Sequence, residues 1–369
     1  MKIVLITGFV DPKFQYREEL YFKRLENRFE MYLLSSYVSP PQKHQKYKVT
    51  NLIGKNHFRF IHLFHFKDII ILPLYRKLKK IKPDIIHLFD AQQLVGVIPL
   101  LYCLVTKTPL IYEHELKIYP TTFFGKLRYI LLTKPITKVI CIYAHIIRVV
   151  TPAGQNLLLD MFKNNEKVKQ KIINKSILST LFYSDEIQKN HNIYYGTKNF
   201  NRILKLCFSG KIDNIKFNNL CIFLSKVNIN ITNIELKFMM DLDNSQNLYI
   251  SNLLLSKKIK FKIVGLLNKD QYYNELINSD AMLFVNPSIS FFEAIGCNLP
   301  IFIEKNQFTS HLESSNIYKY SLSNLQNDFD CFIDYCRKFN YSSDPNFSES
   351  NIIDNLTSQY KKIYDTTRK

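Results

Sequence analysis

Several features that would place the chain in a special class are missing from its 369 residues. It has no tryptophan, only 9 glycines and 13 prolines, and no Cys-x-x-Cys pair among its seven cysteines. The scarcity of glycine and proline excludes collagen-like and linker-dominated proteins. An odd number of widely spaced cysteines, mostly in apolar strings, argues against a disulfide framework or zinc ribbon and indicates buried free thiols in a reducing compartment.

Long apolar runs are also missing. The longest, 94–105, is too short to cross a membrane, and the apolar string at residues 1–8 is too short for a signal peptide and indicates a buried strand. We therefore expect a cytoplasmic protein, with peripheral attachment to the inner face of the cell membrane as an open alternative. Hydrophobic residues make up 46% of the chain, enough for buried cores, and the length suits two domains better than one.

Acidic residues are scarce in the first part of the chain. Residues 1–150 carry 24 Lys/Arg against 10 Asp/Glu, whereas residues 151–369 carry 26 against 21. The net charge of the whole chain is +19. Basic surfaces bind nucleic acid, anionic membranes or phosphorylated ligands, and composition alone does not choose among them.

Short apolar strings alternate with amphipathic stretches in two successive series. Strands are predicted at 2–7, 31–35, 84–88, 110–113 and 146–151, then at 203–209, 234–240, 259–264, 281–285 and 300–303. Helices are predicted at about 14–27, 67–80, 92–105 and 123–132, then at 216–226, 245–255, 270–278, 292–297 and 352–363. This alternation is typical of βαβ units around a parallel sheet.

A weakly periodic stretch rich in Asn, Lys and Tyr separates the two series and sets the predicted domain boundaries. We predict an N-terminal Rossmann-like domain over 1–175, a linker over 176–202, a second Rossmann-like domain over 203–345, and a C-terminal helix over 346–369 that can return to the first domain. The fold class is α/β, with two doubly wound domains facing a central cleft. Ligands of such sheets bind beyond the carboxyl ends of the strands.

Two candidate sites follow predicted strands of the second series. Gly210 lets the backbone turn, and Lys211 and Lys216, with the free amides of a helix start, suit a diphosphate; a solvated loop between strand and helix is the alternative. Glu293 lies near the start of a short helix and can accept hydrogen bonds from a ribose or sugar hydroxyl. Its alternative is a carboxylate stabilised by the helix macrodipole.

A third candidate ends a strand of the first series, in the string Glu113-His114-Glu115. The two carboxylates are expected to raise the pKa of His114 and orient its ring, which could then hydrogen-bond a sugar hydroxyl. A loop histidine with charged neighbours is the alternative. Zinc is not expected, because no further His or Cys lies nearby at ligand spacing.

Taken in order, these segments resemble the retaining GT-B glycosyltransferases of family 4. In the first domain, the string KPDIIHLFD at 82–90 is similar to that family's acceptor-domain strand, and 113–116 resembles the HEL segment of one branch. The string at 144–151 is similar to the family's next strand, with His145 in place of the usual Asp. The resemblance covers roughly residues 1–305 and depends on the order and spacing of several weak motifs.

The second domain carries the remaining motifs, with departures. Gly210, Lys211 and Lys216 are similar to the family's glycine–arginine…lysine–glycine motif, with Phe217 in place of the second glycine. The segment 286–300 resembles its PS…EA…G…P motif, in a short-loop form. Only the second of its two glutamates is present, as Glu293. The N-terminal loop likewise has a single glycine where the family often has two.

The resemblance implies roles for the matching residues in the donor site. Lys211 and Lys216 would hold the donor diphosphate in place of a metal, Glu293 would bind the ribose, and His114 would contact the donor sugar. Gly8 would allow a close approach of the N-terminal loop. The resemblance also implies that the anomeric configuration of the sugar is retained by the internal-return route, in which the departing phosphate takes the acceptor proton. This route needs no enzymic nucleophile, and no cofactor is expected.

The resemblance also implies the surroundings of these groups. Other donor-site residues are Gly210, Gly265, Leu266, Leu267 and Ser288, of which the two leucines would line the base pocket. Asp90 and Glu115 would lie on the acceptor side. The expected donor is a nucleotide sugar linked to UDP, the expected acceptor is lipid-linked or a saccharide, and no metal and no nucleic acid are expected.

Two basic–aromatic stretches raise the question of a membrane. One is 56–67, which leads to the basic cluster at 76–80, and the other is 122–134. Apolar bodies flanked by Lys and Arg suit an interfacial helix on an anionic leaflet, and the alternative is a core-facing helix with a solvated basic edge. We favour the core-facing interpretation for 67–80, and both stay open for 122–134.

The leading prediction is transfer of a sugar from a nucleotide sugar to a lipid-linked, lipopolysaccharide or polysaccharide acceptor. One alternative is an inactive GT-B partner subunit, because the first glutamate of the motif is missing. A nucleotide-sugar 2-epimerase would need its own carboxylate and histidine set, which the sequence does not show. A nucleic-acid-binding protein is suggested by the charge alone, without a recognisable recognition module.

Overall fold

The structure is a computed structural model that describes most of the chain. The described residues are 1–9, 17–36, 57–60, 73–89, 95–114, 122–149, 152–174, 203–210, 212–228, 233–285, 289–306, 309, 316–339 and 349–367. The chain divides into two compact units. The first comprises Met1–Leu178 and Ile353–Lys369, and the second comprises Ser179–Ile352. The predicted linker over 176–202 lies wholly outside the described residues, which stop at 174 and resume at 203.

The first unit is built on a parallel sheet of seven strands in the order β3-β2-β1-β4-β5-β6-β7. The strands are β1 (Lys2–Phe9), β2 (Glu30–Ser36), β3 (His57–Phe60), β4 (Ile85–Phe89), β5 (Leu110–His114), β6 (Ile146–Val149) and β7 (Ile172–Asn174). Every residue of β4 and of β5 is buried. Such apolar central strands are expected where helices cover both faces of a parallel sheet.

The described part of the first unit contains the following helices, most of which bury side chains in its core. They are α1 (Arg17–Leu25), α2 (Pro73–Ile81), α3 (Val97–Thr106), α4 (Phe123–Arg128), α5 (Lys134–Tyr143), α6 (Pro152–Met161), α7 (Glu166–Lys169) and the C-terminal helix Glu349–Thr367. Leu78 of α2, Cys103 of α3 and Ile140 of α5 enter one hydrophobic core. The exposed basic residues of α2 lie opposite its buried leucines, as expected for a core-facing helix with a solvated basic edge.

The second unit repeats the plan with a parallel sheet of six strands in the order β10-β9-β8-β11-β12-β13. The strands are β8 (Leu204–Gly210), β9 (Ile234–Met240), β10 (Lys260–Ile263), β11 (Ala281–Phe284), β12 (Ile301–Glu304) and β13 (Ile317–Tyr320). The helices are α8 (Asn214–Lys226), α9 (Asn244–Ser256), α10 (Lys269–Ile277), α11 (Ile289–Gly296) and α12 (Leu325–Lys338). Both sheets have the doubly wound order, which confirms the predicted α/β class.

Local side chains explain where several helices begin. Asp243 accepts from the backbone N–H of Gln246, whose side chain in turn accepts from the Asp243 N–H, so that α9 starts with a capping box. Asn268 and Gln271 form the same arrangement before α10. These contacts satisfy backbone donors that a helix start otherwise leaves unpaired.

Phenylalanine and tyrosine take the place of tryptophan in the core of the second unit. Phe302 stacks on Tyr320 and Phe332, with ring centroids 4.5 and 4.8 Å away. Phe208 stacks on Phe238 at 5.1 Å. Aromatic pairs at these distances add to the free energy gained by burying their area, and they hold β8, β9, β12 and α12 together.

The predicted strands are all present, but the sequence interpretation missed several elements. The missed strands are β3, β7 and β13, and the missed helices are α5, α6, α7 and α12. The interpretation of 56–67 as a basic–aromatic helix is wrong for His57–Phe60, which pair in parallel with β2 as an edge strand. An edge strand is hydrogen-bonded along one side only and is often very short, so its apolar pattern is easily taken for another element.

Two adjacent leucines of α9 test whether burial governs stability in the second unit. Leu254 is fully buried, whereas Leu255 is 64% exposed. We expect Leu254→Ala to lower the free energy of unfolding by about 2–5 kcal/mol, because it leaves a cavity. We expect Leu255→Ala to change it by about 0.5 kcal/mol or less. Urea denaturation of both variants measures the difference, and equal effects would contradict the assigned packing.

Candidate functional site

A buried polar cluster lies at the carboxyl ends of β4, β5 and β6. The Nε2 of His87 donates to Oε2 of Glu113 (3.1 Å), and the Nε of Arg148 lies 3.3 Å from the same oxygen. The C-terminal helix completes the cluster. The hydroxyl of Tyr360 hydrogen-bonds to Nδ1 of His87 (2.7 Å), and Nη1 of Arg148 donates to Oε1 of Gln359 (2.6 Å).

The register of the sheet explains this cluster. Glu113 on β5 lies directly opposite Arg148 on β6. The carboxylate is fully buried and the guanidinium nearly so, and such a pair is tolerated only when both charges are matched and hydrogen-bonded. Glu113 is therefore a structural group here. Sequence analysis predicted that the last helix can return to the first domain. It missed Arg148, Gln359 and Tyr360, because a single sequence does not indicate which residues of that helix meet the sheet.

His114, the last residue of β5, points to the opposite face from Glu113, since side chains alternate along a strand. Its Nδ1 is 2.9 Å from the hydroxyl of Tyr112, two residues earlier on the same face. Its Nε2 is buried and has no hydrogen-bond partner among the described residues. A buried nitrogen without a partner is costly unless a ligand supplies one.

The expectation that flanking carboxylates raise the pKa of His114 is wrong. Burial of the ring lowers its pKa to about 4, because the imidazolium form loses its hydration. The carboxylate of Glu113 offers no compensation, since it faces the other side of the sheet and pairs with Arg148. At neutral pH the ring is uncharged and acts through a single N–H donor or a single acceptor.

Gly8 lies inside β1 rather than in the loop after it. The pairing of β1 with β2 is irregular between Ile6 and Phe9, which places Gly8 at a bulge near the carboxyl end of the strand. Gly8 is buried. The pairing of this central strand with β2 is therefore shifted near its carboxyl end. Ligands of doubly wound sheets bind beyond the carboxyl ends of the strands.

In the second unit, Gly210 ends β8 with a φ of +123°, a backbone angle that side chains other than hydrogen disfavour. Helix α8 begins soon afterwards. Its N-cap Asp213 accepts from the backbone N–H of Lys216 (2.9 Å), and the Lys216 ammonium group lies 3.9 Å from the same carboxylate. The expectation of free amides is thus wrong for the Lys216 N–H, which the Asp213 side chain already occupies.

Glu293 of α11 meets two groups that the sequence did not suggest. The hydroxyl of Tyr272, on α10, is buried beside Glu293 and beside Ser209 at the end of β8. Burial and the nearby carboxylate raise the pKa of Tyr272 well above its ordinary value. We call these three residues the Glu293 cluster. It places a carboxylate and two hydroxyls at the carboxyl end of the second sheet.

The remaining predicted donor-site residues form a turn after β10. Gly265 has a φ of +81°, and the space that a Cβ would take is open. Its N–H donates to the carbonyl of Phe238 (3.3 Å), which joins the turn to β9. Leu266 is 55% exposed and Leu267 is half-buried. The turn thus leaves the backbone at Gly265 accessible next to the apolar side chain of Leu266.

Four predicted site residues lie outside the described residues, so that the structure does not place them. They are Lys211, Ser288, Asp90 and Glu115. Within the described ranges, no group of three or more His, Cys, Asp or Glu is arranged to hold a metal ion.

Comparison with known proteins gives a clear result for the fold alone. Neither a protein-family model nor a curated protein matches the sequence. Among solved structures, sucrose-phosphate synthase from Thermosynechococcus elongatus aligns with a TM-score of 0.66 and 11% identity, covering 99% of both chains. A glycosyltransferase from Rickettsia africae aligns with a TM-score of 0.62 and 13% identity, covering 98% of both chains.

The UDP-GlcNAc 2-epimerase from Neisseria meningitidis, solved bound to UDP-GlcNAc, aligns with a TM-score of 0.61 and 12% identity. The alignment covers 98% of this chain and 100% of the epimerase. The chain has the GT-B fold. Because all three alignments span both units, the two Rossmann-like domains of this GT-B chain correspond to those of the solved structures in order and extent.

Tyr360 provides a test of the link between the C-terminal helix and the sheet. We expect Tyr360→Phe to lower the free energy of unfolding by about 1–3 kcal/mol, because it removes a buried hydrogen bond to His87. The half-exposed Tyr143, also in the first unit, supplies the matched control Tyr143→Phe, which should have little effect. Chemical denaturation of both variants checks this, and an unaffected Tyr360→Phe would contradict the contact.

His114 gives the structure a pH dependence with a defined sign. The unfolded chain protonates this residue near pH 6.5, whereas the folded chain does so near pH 4. The unfolded state therefore binds more protons between these values, so the stability declines as the pH falls from about 6.5 to about 4, by roughly 3 kcal/mol. We expect His114→Gln to show a weaker decline in urea titrations over this window. An identical decline in both proteins would contradict the assigned burial.

Proposed function

We propose that the chain is a glycosyltransferase that takes a sugar from a nucleotide-sugar donor. The carrying observation is that both GT-B domains present polar groups at the carboxyl ends of central strands, His114 in the first and the Glu293 cluster in the second. Doubly wound sheets bind ligands at these ends. The solved structures with the same fold include a glycosyltransferase, a sucrose-phosphate synthase and an epimerase bound to UDP-GlcNAc, which supports a nucleotide-sugar substrate.

The second domain is proposed as the donor domain. The Glu293 carboxylate would accept hydrogen bonds from the ribose hydroxyls, with Tyr272 and Ser209 holding its position. The turn at 265–267 would contact the base through its backbone and Leu266. Lys216, together with Lys211, would bind the diphosphate and stabilise the negative charge that develops on it as the sugar departs.

His114 is proposed as the group that contacts the transferred sugar. With the Tyr112 hydroxyl donating to Nδ1, the neutral ring carries its proton on Nε2. That N–H is the buried donor without a partner among the described residues, and a sugar hydroxyl would satisfy it. The low pKa keeps the ring neutral, so it donates this hydrogen bond throughout the neutral pH range.

Epimerisation is the nearest competing reaction, since it is known on the same fold. Removal of a proton from a sugar carbon needs a carboxylate or imidazole that is free to accept it. Among the described residues of the first domain, Glu113 is fully buried and already accepts from His87 and Arg148. This pairing favours transfer, in which the group that accepts the acceptor's proton is the departing phosphate.

The finer assignments follow the resemblance to family 4. They are a UDP-linked donor, retention of the anomeric configuration, independence of a divalent metal, and a lipid-linked, lipopolysaccharide or polysaccharide acceptor. Asp90 and Glu115 would belong to the acceptor side and Ser288 and Gly210 to the donor side. An inactive partner subunit is the competing interpretation, because Val285 stands where the first glutamate of the motif is expected.

The lysine assignment can be tested with two variants of one helix. Lys216 lies in the first turn of α8, and Lys226 ends the same helix with an exposed side chain. We expect Lys216→Ala to reduce the transfer rate about 100-fold, because a preorganised charge opposite the leaving group is lost. Lys226→Ala should leave the rate unchanged. Donor consumption in the presence of a mixed lipid and saccharide acceptor extract measures both.

Thermal stabilisation by UDP, GDP, CMP and their sugar conjugates tests the donor site without knowledge of the acceptor. We expect stabilisation by UDP and a UDP-sugar that Lys216→Ala weakens and Lys226→Ala preserves. Conversion of the UDP-sugar to its 2-epimer would favour the competing reaction. Stabilisation by none of the nucleotides would refute the proposed donor site.

A further inference from the structure

The exposed apolar side chains of the first unit are concentrated on one surface. Among its described residues, every exposed large hydrophobic side chain belongs to α3 or to the helical segment 123–143. Phe123 and Phe124 are 74% and 80% exposed, Leu131 is 62% exposed, and Val105 on α3 is 70% exposed. Single exposed apolar residues are ordinary, but a contiguous set of this size marks an interaction site.

Segment 123–143 is one continuous helix with a local defect. Helix α4 passes directly into a π-helical turn, Tyr129–Thr133, and then into α5. Pro135, near the start of α5, has no N–H to donate to the preceding turn, and this explains why the hydrogen-bond pattern widens there. The α4 part buries none of its side chains, so its two phenylalanines project away from the core.

Helices α3 and α5 lie side by side and pack into the same core, so their outer residues share one surface. We call this surface, together with α4 and the π-helical turn, the outer face. No Asp or Glu occurs in 97–107 or in 122–145. The same two stretches contain Lys107, Lys126, Arg128, Lys134 and Lys138. Helix α2, which packs against α3, adds further exposed basic residues and no acidic ones.

We propose that the outer face docks on an anionic lipid bilayer, with Phe123 and Phe124 entering the acyl region and the flanking cations contacting lipid phosphates. Such a bilayer has an apolar acyl layer beneath a layer of anionic headgroups. The apolar side chains of the outer face suit the first layer, and the cations around them suit the second. No described helix has the length and apolar composition to cross the bilayer, so the contact is peripheral. The docking does not depend on the reaction assigned to the protein.

A second copy of the chain fits this face poorly. Two copies joined through it would bring two acid-free, cationic surfaces together, and like charges at an interface are unfavourable. An anionic bilayer gains from the same charges instead. Each lysine or arginine near such a surface strengthens binding about fivefold, and each embedded phenylalanine adds about tenfold or more.

The absence of tryptophan makes a direct test available. Phe124→Trp introduces the chain's sole tryptophan on the outer face, and Tyr249→Trp introduces it at an exposed site of the second unit. With vesicles of phosphatidylcholine and phosphatidylglycerol in equal parts, we expect the emission of Trp at 124 to shift to shorter wavelength. We also expect quenching by acyl-brominated lipid. The emission at 249 should not change.

Flotation of the full chain with the same vesicles measures affinity. We expect Phe123→Ser with Phe124→Ser to weaken binding about 100-fold or more, since two phenylalanines are removed. Replacing Lys126, Lys134 and Lys138 by glutamine should weaken it about fivefold for each residue removed. The control pair Leu248→Ser and Tyr249→Ser alters equally exposed residues of the second unit and should leave binding unchanged. Lys216→Ala should bind like the unaltered chain, which separates docking from the donor site.

Three outcomes would overturn the proposal. The first is no flotation with anionic vesicles at low salt. The second is equal loss of binding in the outer-face and control pairs. The third is a dimer in lipid-free solution that the substitutions at 123 and 124 convert to a monomer, because the face would then join two copies of the chain.

Discussion

The ion pair between Glu113 and Arg148 is buried in the first unit, where an unpaired charge would destabilise the fold by several kcal/mol. Several elements that are distant in the sequence must come together to form this ion pair and its hydrogen bonds. Strands β5 and β6 must be in register, β4 must bring His87 to the same oxygen, and the C-terminal helix must return. Gln359, which binds the Arg148 guanidinium, is 211 positions away in the sequence. The first domain is therefore complete only when the last helix has packed on it.

This constraint also separates structural from reactive groups at the same strand end. Glu113 and His114 are neighbours in the sequence, but strand alternation sends them to opposite faces. One face is filled by the ion pair and the Tyr360 hydroxyl, and on the other Nε2 of His114 is buried with no hydrogen-bond partner among the described residues. In the second domain, the buried hydroxyl of Tyr272 lies beside both the Glu293 carboxylate and Ser209.

The positive charge of the first domain is distributed differently from its polar site. The basic residues of α2 and of segment 123–143 lie on the helix layer, whose inner side is an apolar core. The strand ends carry a nearly neutral, internally paired cluster. The basic residues and the candidate site of the first domain thus lie on different surfaces. Net charge alone was therefore a poor guide to the position of the site.

Sequence alone determined the α/β class, the central strands, and the strand ends at or after which His114, Gly210 and Glu293 lie, because local periodicity and turn residues encode these features. It did not reveal Arg148, Gln359, Tyr360 or Tyr272 as parts of the sites, nor β3 and β13. It also led to the wrong direction for the pKa of His114, because carboxylates adjacent in the sequence were assumed to lie close to the ring in space. Tertiary structure decided these points, since burial and contacts between distant residues govern which charges meet and which groups water can reach.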